Sequence, residues 1–101
     1  MKTTIRTVLE ENYIKQINKI ISDKNLRKND FFEIALNEFI KKNNKQTYIV
    51  KFNNFDRIRT RNYLIAIEEP IAIKFRNLME KLNLTQTQLL REIFIPFISK
   101  K

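Results

Sequence analysis

Ile5, Thr7 and Leu9 stand at alternate positions as candidates for one face, and the same spacing returns at Tyr63, Ile65 and Ile67. A period of two is that of a strand with one buried face. Behind each stretch the spacing changes to that of an amphipathic helix. Tyr13, Ile17, Ile20 and Ile21 stand at i, i+4, i+7 and i+8, and Ile71, Phe75, Leu78, Met79 and Leu82 repeat the stripe. Polar breaks follow at Asp23-Lys24-Asn25 and at Asn83, where asparagine tolerates the left-handed conformation that ends a helix. A second helical stripe then runs through Phe31, Phe32, Ala35, Leu36, Phe39 and Ile40, and again through Leu89, Leu90, Ile93, Phe94, Phe97 and Ile98.

The two halves are copies in register. A shift of 58 positions sets Ile5 on Tyr63, Glu10-Glu11 on Glu68-Glu69, Asn25-Leu26 on Asn83-Leu84 and Phe39-Ile40 on Phe97-Ile98, without a gap. Residues 1–42 form the first copy, 43–60 a basic linker and 61–101 the second. TYIVKF in the linker and RIRTRNYLIAI, which runs on into the second copy, have strand propensity around Asn53-Asn54, so a hairpin fits there, and the second strand is free to start before Tyr63. Pro70 suits a first helical turn, where its missing N–H costs nothing. Thr85 suits a helix cap; copy one has Arg27 at that place, so its cap is weaker or moves to Asn29 or Asp30.

One strand with two helices cannot satisfy its own backbone donors and acceptors. Two copies supply each other's partner. The pattern therefore predicts an α+β, mostly helical fold: an antiparallel two-stranded ribbon with four helices on one face and the other face bare.

Composition narrows the chemistry. Lys and Arg number 20 against 11 acids, a net charge of +9, which favours an anionic partner such as DNA, RNA or a lipid surface. The chain has no Cys and no His, hence no disulfide framework, no thiolate zinc site and neither the commonest general base nor the commonest metal ligand. With no Gly there is no phosphate loop or dinucleotide fingerprint. The paired acids Glu10-Glu11 and Glu68-Glu69 fall at helix starts, where they complement the helix dipole. The expectation is a protein that is not an enzyme and carries no cofactor, metal or small-molecule substrate. No apolar run reaches the ~18 residues of a membrane span, and MKTTIRTVLEEN does not read as a signal peptide. An intracellular location, in cytoplasm or nucleoid and including that of an infected host cell, is expected, with no membrane partner.

Copy one, through IRTVLEE, the turn NLRKN and EIALNEFI, resembles the ribbon-helix-helix DNA-binding family of the MetJ, Arc and CopG type along its whole length. Copy two is similar through YLIAIEEP, NLTQTQLL and IFIPFI. Single-chain tandem forms occur among relaxosome proteins and archaeal viral regulators, and the sequence looks like one of those. The resemblance implies a single-chain pseudo-dimer whose ribbon enters the DNA major groove, acting as a sequence-specific transcriptional regulator. The same surface would serve an accessory DNA-bending or relaxosome protein. An antitoxin role fits less well, because a second folded copy stands where many such proteins carry a toxin-binding tail; for RNA binding, the aromatics fit a core better than a stacking platform.

Family resemblance places base contacts on the outward ribbon residues, here Thr4, Arg6 and Val8 with Asn62, Leu64 and Ala66. Arg6 leads, since arginine bonds two guanine acceptors; Asn62 suits adenine and Thr4 a thymine methyl. Leu64 and Ala66 are poor readers, so the expected site is asymmetric. Phosphate contacts fall to backbone amides of the second helix of each copy, at Arg27, Lys28 and Asn29 and at Thr85, Gln86 and Thr87. Lys2, Arg59 and Arg61, the last two alternating with Arg57, add charge at the ribbon ends. Ile73 and Ile95 replace Lys15 and Asn37 of copy one off the main stripe. They imply either a wider core or a surface for self-association along DNA. Pro96 should bend or shorten the last helix.

Overall fold

The computed structural model describes residues 2–42 and 60–99. Strand β1 (Lys2–Glu10) leads into α1 (Glu11–Asp23) and α2 (Lys28–Lys42). After residues outside the described set, β2 (Thr60–Glu68) leads into α3 (Glu69–Leu82) and α4 (Gln86–Ser99). The described residues thus form an α+β, mostly helical fold with one two-stranded sheet and four helices. β2 takes in Thr60, the last position assigned to the linker. Of the expected hairpin, TYIVKF and the first residues of RIRTRNYLIAI lie outside the described residues, while the rest of the second segment, from Thr60, falls in β2.

The strands pair antiparallel over their full length, from Lys2 opposite Glu68 to Glu10 opposite Thr60. Ile5, Thr7 and Leu9 with Tyr63, Ile65 and Ile67 are buried, and the residues between them face away from the core. Each strand runs straight into a helix whose first turn carries an acid, Glu11 or Glu69, near the positive dipole end. Pro70 lies in the first turn of α3.

The two interhelical turns are built alike. Asn25 and Asn83 take φ of 53° and 56° in the left-handed region. The following leucine N–H closes the same bond in each copy, Leu26 to the Ile21 carbonyl at 2.9 Å and Leu84 to Met79 at 3.1 Å. Asn25 and Asn83 donate to Ser22 and Glu80 in turn. This pair of bonds satisfies the carbonyls a helix end leaves open, and asparagine supplies the positive φ in a chain without glycine. The second helices start differently. In α4 the Thr85 hydroxyl accepts from the Gln88 N–H (3.2 Å) while the Gln88 side chain accepts from the Thr85 N–H (3.0 Å). In α2, Asp30 accepts from the backbone N–H and the guanidinium of Arg27; the Arg27 side chain is no acceptor and cannot cap.

One core joins both halves. Phe31 of α2 stacks on Phe94 of α4 (centroids 5.8 Å apart) and meets Phe97 edge-on, and Phe32 meets Phe75 of α3. Such pairs add roughly 0.5–1.5 kcal/mol beyond their buried area. The fourth helix goes beyond an apolar stripe: Arg91, Glu92 and Ile95 are all buried in addition to Leu89, Leu90, Ile93, Phe94 and Ile98. Ile95 (3% exposed) is therefore core rather than an outer surface, whereas Ile73 is 46% exposed, so the two do not make one docking patch. Pro96 does not shorten α4, which continues to Ser99. Inside a helix proline removes one i→i−4 bond, and burial of Ile93, Phe94, Ile95 and Ile98 around it holds the segment despite that loss. No described helix is long and apolar enough to cross a membrane.

Arg91, 1% exposed, meets Glu10 at the end of β1 through two bonds, Nη1 to Oε1 at 2.5 Å and Nη2 to Oε2 at 3.2 Å. This fork-to-fork pair ties the last helix to the first strand. Leaving a buried charge without its partner typically costs about 3–5 kcal/mol, whereas exposed pairs contribute about 0–1 kcal/mol. Arg91→Ala should lower the unfolding free energy by about 3–5 kcal/mol in urea titrations. Removing the exposed Arg61–Glu11 pair (3.1 Å) by Arg61→Ala should change it by less than about 1 kcal/mol.

Candidate nucleic-acid interface

The bare face of the ribbon follows from strand periodicity. With one side of each strand locked into the core, Thr4, Arg6, Asn62, Leu64 and Ala66 stand exposed and Val8 is half-buried. Across the strands Thr4 faces Ala66, Arg6 faces Leu64 and Val8 faces Asn62, so Arg6 and Leu64 occupy the middle of the grid. The Arg6 guanidinium and the Thr4 and Asn62 side chains make no hydrogen bond or ion pair among the described residues. They lie exposed on a two-stranded surface, and Leu64, 52% exposed, adds an apolar group at the centre.

The second helices begin at the two margins of this face. The Gln86 side chain donates to the Arg6 carbonyl at 2.6 Å, holding the start of α4 against β1. On the other margin the Asn29 side chain accepts from the Glu68 N–H at 3.1 Å, holding the start of α2 against the end of β2. Lys28 Nζ lies 5.0 Å from the centre of the Tyr63 ring, a cation over the face of a buried aromatic. In α4 the capping box engages Thr85 and Gln88, and the first-turn N–H groups of Gln86 and Thr87 have no helical acceptor. Those of Lys28 and Asn29 are in the same position in α2.

Each expected contact residue among the described ones thus has a definite place. Lys28 and Lys2 are exposed, Lys2 in a shallow recess with Glu68, Glu69, Pro70 and Ile73. Asn29 is only 7% exposed; its side-chain oxygen accepts from β2 and its side-chain amide hydrogen-bonds Asp30. The Gln86 side chain is likewise committed to the ribbon backbone. Arg27 is exposed but forked onto Asp30 at 3.1 and 3.2 Å; that bond raises the guanidinium pKa and holds the Asp30 carboxyl below its ordinary value. Arg61 is exposed and paired with Glu11. Arg57 and Arg59 lie outside the described residues. The struts Gln86, Asn29 and the Arg91–Glu10 pair set the positions of the helix starts and strand end. Their roles depend on contacts between distant parts of the chain, and no periodicity marks them.

Comparison with protein-family models, with characterised proteins and with solved structures finds no match to this chain.

Under the ribbon, two cross-strand neighbours on the inward face, Thr7 and Tyr63, bury hydroxyls that have no hydrogen-bond partner among the described residues. Burial pushes the Tyr63 phenol up to about 12. The unfolded chain would release that proton near ~10 and the folded protein only near 12. This contribution is therefore fully present below pH ~10 and is lost as pH rises toward the folded value. An unpartnered buried hydroxyl costs roughly 1–3 kcal/mol. Tyr63→Phe should accordingly match or exceed the wild type in urea midpoint at neutral pH. Its margin over wild type should widen by on the order of 2 kcal/mol between pH 10 and 12, followed by circular dichroism.

Proposed function

We propose that the chain is a tandem ribbon-helix-helix protein, a single-chain pseudo-dimer that binds double-stranded DNA sequence-specifically and regulates transcription. The observation that carries this reading is the pairing of the two repeat strands into a ribbon with one face in the core and the other bare. A two-stranded ribbon of this kind fits the major groove, where each base pair presents a distinct pattern of donors and acceptors. Unengaged Arg6, Asn62 and Thr4 project from it. Helix starts flank both margins, held there by Gln86 and Asn29, and a helix N-terminus favours phosphate through free N–H groups and its dipole. The net charge of +9 supplies the long-range attraction.

Binding is passive in this mechanism. The ribbon enters the groove and Arg6 bonds a guanine edge. Lys28 and the first-turn amides of α2 and α4 hold phosphates on either side. Arg61 leaves its exposed bridge to Glu11 for a phosphate at little cost, since such bridges are worth about 0–1 kcal/mol. Occupancy of the site then changes promoter use inside the cell or infected host. An accessory, architectural protein would use the same surface without reading bases.

The test is selection from a random duplex DNA pool at moderate salt. A short enriched motif is expected, with affinity falling steeply as salt rises. Arg6→Ala should erase the sequence preference and leave non-specific affinity in place. Lys28→Ala should weaken binding to all sequences and lower the logarithmic salt slope by about 1. Retention without a motif would assign the surface to an architectural role, and no retention even at low salt would overturn the DNA-binding reading.

A further inference from the structure

The strand register coincides with the sequence repeat. Arg6 lies opposite Leu64, its own counterpart 58 positions on. Thr4 lies opposite Ala66, the counterpart of Val8, and Val8 opposite Asn62, the counterpart of Thr4. A two-fold relation between the copies therefore passes between Arg6 and Leu64. A ribbon of two identical strands would carry the same residue twice at this place and present a symmetric centre. Here one side offers a guanidinium and the other an isobutyl group, both exposed.

The phosphate-facing margins differ in the same sense. Copy one starts α2 with Lys28, beside an Arg27 paired to Asp30, where copy two starts α4 with the uncharged Gln86 after Thr85. The charged start lies against β2, through Lys28 over Tyr63 and Asn29 on Glu68; the uncharged one lies against β1, through Gln86 on the Arg6 carbonyl. Base-reading chemistry is thus polarised across the ribbon, with Lys28 on one margin and Gln86 on the other.

Building on the DNA-binding reading above, we propose that the protein recognises a directional, non-palindromic site, and that the Arg6/Leu64 pair at the ribbon centre sets its direction. Arginine bonds the O6 and N7 acceptors of guanine as a fork, whereas leucine can only meet an apolar group such as a thymine methyl. The molecule then docks in one orientation, with the guanine on the Arg6 side of the centre and Lys28 on the α2 margin.

Two substitutions make the centre symmetric without touching the core, since both residues are exposed. Leu64→Arg places arginine on both sides and Arg6→Leu places leucine on both. Selection from a random duplex pool is run on wild type and both variants. Wild type should yield a motif whose centre is not its own reverse complement. Leu64→Arg should yield a centre with guanine on both strands and bind that symmetrised site roughly tenfold or more tightly than the wild-type site. Arg6→Leu should lose the guanine and with it any oriented centre. A palindromic wild-type motif, or a central preference that Leu64→Arg leaves unchanged in a variant that still selects a motif, would overturn the proposal while leaving DNA binding intact. Failure of every form to retain DNA would overturn the reading beneath it.

Discussion

Everything in this molecule hangs on the hydrogen-bonded pairing of β1 with β2. Neither strand has another partner in the described sheet, and each belongs to a helix pair that cannot close a core by itself. Residues 2–10 must therefore find residues 60–68 before either half gains much. The aromatic packing carries the same dependence, because Phe31 and Phe32 of the first half meet Phe94, Phe97 and Phe75 of the second. The bare ribbon face is a consequence. A strand has two faces, the helices cover one, and no third layer is present among the described elements to cover the other.

The same pairing explains which parts of the architecture could be read from the residues alone. Alternation at Ile5, Thr7 and Leu9 and at Tyr63, Ile65 and Ile67 reports burial of one face directly, and these six are the buried ones. Asn25 and Asn83 mark their turns because few residue types accept positive φ. Thr85 marks its cap because hydroxyl and backbone donor are neighbours in sequence. Each of these signals is local.

What stayed illegible depends on the environment of a helix rather than on its own period. Arg91 and Glu92 look like a solvated edge between apolar neighbours, yet both are buried, and Arg91 is neutralised by a carboxylate at the far end of the chain. Ile95 is drawn inside with them, which no stripe on α4 alone foretells. Asn29 and Gln86 resemble free polar groups at a helix start, but docking against the ribbon turns their side chains into struts. Of the expected interface, the outward alternation was legible. The availability of each polar group was not, because it depends on a partner tens of residues away.

Placing two copies in one chain changes what the repeat can do. Identical subunits must make each contact twice, whereas linked copies can make it once. Arg91 and Glu10 have Glu33 and Glu68 as their counterparts in the repeat, so the buried pair has no equivalent of opposite charges in the other half. If two copies of the first half paired with each other, Glu33 would stand where Arg91 stands and face Glu10 twice. Like charges brought together out of water are costly, and the charge pattern therefore favours β1 with β2 over β1 with itself. The centre of the outer face shows the same freedom, carrying Arg6 once and Leu64 once. An asymmetric core contact fixes which strands meet, and that pairing in turn presents an asymmetric pair of side chains to whatever the ribbon touches.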